Sequence, residues 1–231
     1  MSESKAPLNH PHAFERSRFL VLLVGLVAMV GFLPVVATER HASFALDVAL
    51  IFVLVACIWS MGQRKRLIAI GSVLLVPAAV AAWITDDSFG PQLDVVGLIC
   101  ALTFLTFTAL TLLVNILRQR NVVTDTILGG ICVYLLIAVM WALLYEIMER
   151  IQPGSFGPWS TPTGALPLKR LVTPDLIYYS VFVLSTIGPQ DVHPISGAAR
   201  AWTGIEAMVG QLYLAVLIAR LVSRHVARND A

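Results

Sequence analysis

Charged side chains are scarce in this chain of 231 residues, in which Asp, Glu, Lys and Arg together account for 13%. Soluble domains carry about 25%. Hydrophobic residues make up 58% of the sequence and the mean hydropathy is +0.81. A soluble core of this size cannot hide so much apolar surface, so the composition indicates an all-α integral membrane protein.

Cysteine is also scarce, and its placement excludes two kinds of site. The three cysteines, Cys57, Cys100 and Cys132, all lie inside apolar runs. This pattern suggests neither a disulfide framework nor a zinc site. The net charge of only +2 gives no indication of a nucleic-acid partner. The polar residues 1–18 contain no cleavable signal pattern before the first long apolar segment.

Catalytic motifs are missing as well. The sequence has no nucleophile elbow, no His-Glu-x-x-His and no clustered carboxylates in its apolar segments. We therefore expect neither an enzyme nor a cofactor. Two related halves with paired broken helices, which are usual in secondary transporters, are not found either.

Six apolar segments are long enough to cross a bilayer, which takes about 20 residues. They are Phe19–Val36, Phe44–Met61, Leu67–Ile84, Val95–Leu117, Thr126–Met148 and Ala198–Val222. Basic residues cluster before the first segment and after the second, fourth and sixth, whereas the opposite loops contain Asp86, Asp87 and Asp94. Arg150, Lys169 and Arg170 weaken this asymmetry without reversing it. The positive-inside bias predicts that both termini are cytoplasmic, in an inner or plasma membrane.

The connection between the fifth and sixth segments breaks the simple pattern. Residues 153–168 are rich in Pro and Gly, with Phe156 and Trp159 suited to a membrane interface. Thr173-Pro174-Asp175 is typical of a helix start. The apolar helix that follows ends near Ser185 and is too short to cross, which predicts a re-entrant helix followed by a returning loop. Irregular backbone at membrane depth must be buried in protein or line a wet cavity, where its carbonyls can replace the water around a cation.

Residues 178–191, Tyr-Tyr-Ser-Val-Phe-Val-Leu-Ser-Thr-Ile-Gly-Pro-Gln-Asp, carry a family resemblance. They resemble the pore domain of potassium-channel-like proteins, whose filter commonly contains Thr-Val-Gly-Tyr-Gly-Asp. The resemblance covers residues 125–222 and implies an ion-conducting filter. The implied filter residues are Thr186, Ile187, Gly188, Pro189, Gln190 and Asp191, and the implied pore-helix residues are Tyr178, Tyr179, Ser180 and Ser185.

Two filter positions depart from the family pattern. Pro189 stands where Tyr is usual and Gln190 where a second Gly is usual. That Gly commonly has positive φ, which costs another residue about 1 kcal/mol or more. Pro189 is also expected to push Gly188 toward extended backbone. Thr-Ile-Gly followed by non-glycine residues is similar to the filter of cyclic-nucleotide-gated channels, so we expect both K⁺ and Na⁺ to permeate with weak selectivity.

The resemblance also implies an assembly and a division of the chain. One chain supplies one pore loop, so a closed ring requires copies, and the family implies a homotetramer in the lipid bilayer. We divide the chain into a tail at 1–18, a four-helix membrane domain at 19–123, a pore domain at 124–222 and a tail at 223–231, with no soluble ligand domain. Residues 95–117 contain no charge, so this segment is not an arginine-rich voltage sensor.

Four further residues have alternative interpretations. Glu206 is the one acid well inside a span, and it either lines the cavity or bonds a pore-helix hydroxyl such as Ser180 or Ser185. Gly210 falls where the family's inner helix often has a hinge glycine, but small residues in spans also serve close packing. Asp191 and His193 either concentrate cations at the outer mouth or form a solvated pair at the interface.

The sequence therefore predicts a passive pore-loop cation channel. The alternative is a non-conducting membrane sensor or scaffold that retains the channel fold, which Pro189 and Gln190 favour.

Overall fold

The computed structural model describes residues 11–36, 51–57, 69, 71–73, 76, 91–118, 124–157, 173–188 and 191–229. These residues are almost entirely helical. The helices are α1 Pro11–Val36, α2 Pro91–Arg118, α3 Thr124–Ile151, α4 Thr173–Leu184 and α5 Gly197–Asn229. Two short strands, β1 Phe156–Gly157 and β2 His193–Pro194, pair antiparallel.

Within these described ranges, three helices are long and apolar enough to cross a membrane, namely Val95–Leu117, Thr126–Ile151 and Gly197–Arg220. They correspond closely to the fourth, fifth and sixth predicted spans. A shorter apolar stretch, Phe19–Gly31, lies within α1, where the first span is predicted. The second and third predicted spans lie mostly outside the described residues, although their described parts, including 51–57, are helical.

The predicted tails are partly helical. Helix α1 begins at Pro11 and α5 continues to Asn229, so helix extends into both the 1–18 and the 223–231 tails. The physical reason is that helical hydrogen bonds are local, so polar residues can continue a helix beyond its apolar part. Pro11 suits the first position because its missing N–H would have no partner inside the helix.

Helix α3 lies at the centre of the packing and contacts α1, α2, α4 and α5. Cys132, Leu136, Val139 and Leu143 are fully buried along one of its faces. Their spacing of three and four residues follows the helical repeat, which explains why they share that face. Cys132 and Cys57 are buried free thiols, as their apolar surroundings in the sequence predict.

The C-terminal end of α3 is tied to the start of α5 through hydrogen bonds to main-chain groups of the connecting segment. The Glu149 carboxylate accepts hydrogen bonds from the N–H groups of Gly154 at 2.7 Å and Phe156 at 3.1 Å. The Ser155 carbonyl accepts from Ile195 N at 2.8 Å, next to the β1–β2 pair. Ser196 then caps α5, because its hydroxyl accepts from Ala199 N at 3.1 Å. These bonds fix where the returning loop ends and α5 begins.

Candidate functional site

The short helix α4 lies against α3 and α5 and also contacts α1. Its residues Leu176, Ile177, Ser180 and Leu184 are buried, and they recur at helical spacing. The predicted helix over 175–185 is confirmed to within one residue at its end, since α4 stops at Leu184. Neighbouring helices thus cover α4 and hold its C-terminal end against α5.

The C-terminal end of α4 closes in a Schellman motif. Thr186 has a φ of 59°, in the left-handed region, and its N–H donates to the Val183 carbonyl at 2.9 Å. The N–H of Ile187 donates to the Phe182 carbonyl at 3.0 Å. Glycine usually occupies this left-handed position, and a side chain there costs about 1–2 kcal/mol. Backbone strain of this kind clusters at functional sites, which makes Thr186 a site candidate on geometry as well as on sequence.

Gly188 also has positive φ, at 78°. The prediction that Pro189 pushes Gly188 toward extended backbone is therefore wrong. Glycine has no Cβ and adopts positive φ as readily as negative φ, so the restriction before proline does not confine it as it would another residue. Pro189 and Gln190 themselves lie outside the described residues.

The Thr186 hydroxyl is held from two sides. It donates to the Ser185 carbonyl at 2.7 Å and accepts from Gln211 Nε2 at 2.9 Å. Gln211 is on α5, so this contact joins the long helix directly to the first residue of the candidate filter. The sequence interpretation missed Gln211. An amide in an apolar span directly after Gly210 was the signal available, because such a group needs a partner inside the membrane.

The filter residues that the structure describes are exposed in the single chain. Thr186, Gly188 and Asp191 are exposed, and the Ile187 side chain is 71% exposed. A cavity of about 350 Å³ lies beside them. It is lined by residues of α4, α5 and the returning loop, including Thr186, Gly188, His193 and Thr203. His193 is half-buried in β2, whereas Asp191 stays in the loop before it.

Glu206 is fully buried between three helices. Its Oε2 lies 2.5 Å from the Tyr145 hydroxyl of α3, and its Oε1 is hydrogen-bonded to Ser180 Oγ of α4. Of the two sequence interpretations, the structure supports the bond to a pore-helix hydroxyl, and the hydroxyl is that of Ser180. Ser185 is not the partner, because its hydroxyl donates to the Phe182 carbonyl at 3.1 Å.

Gly210 is a point of close approach between two helices. A Cβ added there would lie 2.2 Å from the Leu184 carbonyl oxygen. No side chain fits in that space, so the close-packing interpretation of Gly210 is the one that the structure supports. This contact sets the end of α4, and hence the start of the filter loop, against α5.

Aromatic rings fill the space at the C-terminal end of α3. The Phe156 ring centroid lies 4.9 Å from that of Tyr145 and 5.4 Å from that of Tyr179. The interface position predicted for Phe156 is therefore wrong, because its side chain is fully buried. The turn bonded to Glu149 directs the ring inward. Trp159, its predicted companion, lies outside the described residues.

The two tyrosines of the pore-helix pair have different surroundings. Tyr178 is half-buried and stacks near Phe182, with ring centroids 4.4 Å apart. Tyr179 is buried, and its hydroxyl lies 2.8 Å from that of Thr203. Since Thr203 donates its own proton to the Ala199 carbonyl at 2.8 Å, Tyr179 is the donor in their shared bond. The hydrogen bond from Tyr179 to Thr203 therefore links α4 to α5.

Comparison with known families agrees with this arrangement. Residues 123–226, slightly less than half of the chain, match a family model described as an ion channel. That model represents a potassium-channel-like domain with two membrane helices, so this part of the chain is similar to the pore-loop ion channel family. Comparisons with curated proteins and with solved structures gave no significant match. The match and the apolar helices together indicate a membrane protein, and ion channel families are not enzymatic in general.

Proposed function

We propose that four copies of this chain form a pore for monovalent cations, with residues 186–191 of each copy lining the filter. The observation that carries the proposal is the channel-domain match over 123–226, which contains α3, the short α4, the strained Thr186 and α5 in channel order. The C-terminal end of a helix carries partial negative charge, which favours a cation near Thr186. Rings of backbone carbonyls then replace the water around the ion.

The surface of α5 fits an assembly of copies in lipid. Met208, Leu212 and Val216 on this helix are each more than half exposed in the single chain. An apolar helix face of this kind must meet lipid or another protein surface. The proposal places part of this face against neighbouring copies around a fourfold axis and the rest against lipid. It also places both termini on the cytoplasmic side, from the distribution of basic residues.

The proposed filter passes both K⁺ and Na⁺. Thr186 and the Ile187 carbonyl supply the inner sites, while Pro189 and Gln190 replace the residues that usually build the outer half. A filter with fewer ordered carbonyl sites discriminates less between ions of different size. No resident cofactor takes part, since the ions are cargo.

One observation favours the non-conducting alternative, a membrane sensor or scaffold. The Thr186 hydroxyl and the Phe182 and Val183 carbonyls are all engaged in hydrogen bonds within the chain. In a scaffold these bonds are permanent. In a conductor the ion competes for the Thr186 oxygen and the neighbouring carbonyls, so the two functions differ in whether this loop responds to ions.

Ion flux from liposomes that contain the purified protein tests the proposal. We expect K⁺ and Na⁺ to leave at comparable rates and a large organic cation to be retained. Thr186→Ala should change the K⁺-to-Na⁺ flux ratio, because it removes a hydroxyl from the inner filter. Thr186→Ser keeps the hydroxyl and is the matched control. A folded protein that passes no ion under any gradient would favour the scaffold, and a strongly K⁺-selective flux would overturn the relaxed selectivity.

A second prediction concerns Gln211. Gln211→Leu removes the donor to the Thr186 hydroxyl, so we expect it to change the flux ratio in the same direction as Thr186→Ala. The double variant should differ little from either single variant, because both remove the same contact. Ile151→Ala, at an exposed position near the end of α3, is the control and should leave the ratio unchanged. Additive effects of the two substitutions would show that the Gln211–Thr186 contact is not what sets the ratio.

A further inference from the structure

Glu206 belongs to a chain of closely spaced oxygen atoms. Glu206 Oε2 lies 2.5 Å from Tyr145 Oη, Glu206 Oε1 contacts Ser180 Oγ, and Ser180 Oγ lies 2.7 Å from the Ala138 carbonyl oxygen. The contacts form one continuous chain from α3 through α5 and α4 and back to α3. Both Glu206 and Ser180 are fully buried, so water does not complete the chain from outside.

The number of protons in this chain of contacts determines which group donates and which accepts in each hydrogen bond. Each oxygen–oxygen contact at hydrogen-bond distance needs one proton, and the chain contains three such contacts. Tyrosine and serine supply one hydroxyl proton each, and a backbone carbonyl supplies none. An ionised Glu206 would therefore leave one contact as two facing acceptors. A protonated carboxyl group supplies the third proton, since it donates from Oε1 to Ser180, which donates to Ala138, while Tyr145 donates to Oε2.

The local charges agree with this arrangement. No ion pair involves Glu206 among the residues that the structure describes, and its two side-chain partners there are hydroxyl groups. A buried carboxylate without a cation is costly, and such a group becomes neutral instead. Geometry and charge thus point to the same protonation state.

We propose that Glu206 is a neutral carboxylic acid that positions α4, by donating its proton to Ser180 and thereby holding the pore helix to both α3 and α5. Glu206 does not touch the ion in this proposal. It acts through α4, whose last residues precede Thr186. The effect on ion flux rests on the proposed function, whereas the protonation state and the tie between helices do not.

Infrared spectroscopy tests the protonation state directly. We expect the difference spectrum between the wild-type protein and Glu206→Gln, both folded in detergent at neutral pH, to contain the carbonyl stretch of a protonated carboxylic acid. A difference spectrum that contains carboxylate bands instead would overturn the proposal. The measurement needs no ion flux, so it remains decisive even if the protein does not conduct.

Two substitutions test the positioning role. Glu206→Gln keeps a donor for Ser180 and an acceptor for Tyr145, so we expect it to assemble and unfold within a few degrees of the wild-type protein. Glu206→Leu leaves both hydroxyl groups without this partner, and we expect its unfolding midpoint to fall by roughly 5–10 °C. Equal losses in both variants, or a glutamine variant that fails to fold, would overturn the proposal. If the channel conducts, flux should survive in the glutamine variant and fall at least tenfold in the leucine variant.

Discussion

Gly210→Ala should disrupt the pore domain more than any other single-methyl change on α5. The added Cβ would lie 2.2 Å from the Leu184 carbonyl oxygen, which belongs to backbone and cannot rotate away. Either α4 or α5 must move, and overpacking of this kind costs about 1–3 kcal/mol. Because Thr186 follows Leu184 by two residues, the displacement reaches the filter loop. We expect a lower unfolding midpoint together with altered or abolished ion flux.

Gly204→Ala is the matched control for this prediction. Gly204 is on the same helix, but apart from that helix's own backbone no atom of the described residues lies within 4 Å of its added Cβ. Alanine favours helix over glycine by about 1 kcal/mol, so this control should keep or raise the stability of the protein. The two substitutions are thus expected to act in opposite directions. Similar losses in both would mean that α5 needs glycine for flexibility rather than for its contact with Leu184.

Phe156→Ala should give the largest loss of stability, about 3–5 kcal/mol. The ring is fully buried and packs between Tyr145 and Tyr179, so its removal leaves a cavity in the cluster that joins α3 to α4. The β1–β2 pair should loosen as well, because Phe156 pairs with Pro194. Chemical or thermal unfolding in detergent would measure the loss, and amide hydrogen exchange would show whether the strand pair opens.

Ile151→Ala provides the comparison for Phe156. Ile151 is five residues earlier in the chain and its side chain is 69% exposed, so its truncation should change stability by no more than about 0.5 kcal/mol. If Phe156→Ala lowered the stability no more than Ile151→Ala, the aromatic cluster would not be what stabilises the C-terminal end of α3.

The sequence predicts a helix well where a single local property, such as apolar length or the residue types at the N-terminus, is enough to indicate it. The spans at Val95–Leu117 and Thr126–Ile151 follow from length and apolar composition alone. The start of α4 follows from Thr173-Pro174-Asp175, whose residue types each suit their place at a helix N-terminus. These features depend on neighbouring residues only, so no knowledge of packing is needed to find them.

The site itself depends on contacts between distant residues, and there the prediction is incomplete. A bond from Glu206 to Ser180 or Ser185 was one of two alternatives that the sequence predicted, because a buried acid needs a hydroxyl or a cation. The roles of Tyr145, Gln211 and Glu149 could not be predicted from the sequence. The hydrogen-bond partner of each of these residues depends on how another segment of the chain is placed. Phe156 was misplaced for the same reason, because a turn two residues earlier decides which way its ring points.

Several of the bonds that join the helices end on main-chain carbonyls. Ser180 bonds the carbonyl of Ala138, Tyr213 that of Gly130 at 2.6 Å, and Arg220 that of Leu117. Every residue offers such a carbonyl, so the identity of the accepting side chain does not matter for these bonds. Their register does matter, because one inserted residue turns a helix by about 100°. Within α3, these bonds therefore require a constant number of residues between Gly130 and Ala138, while close packing limits the side chains at both positions.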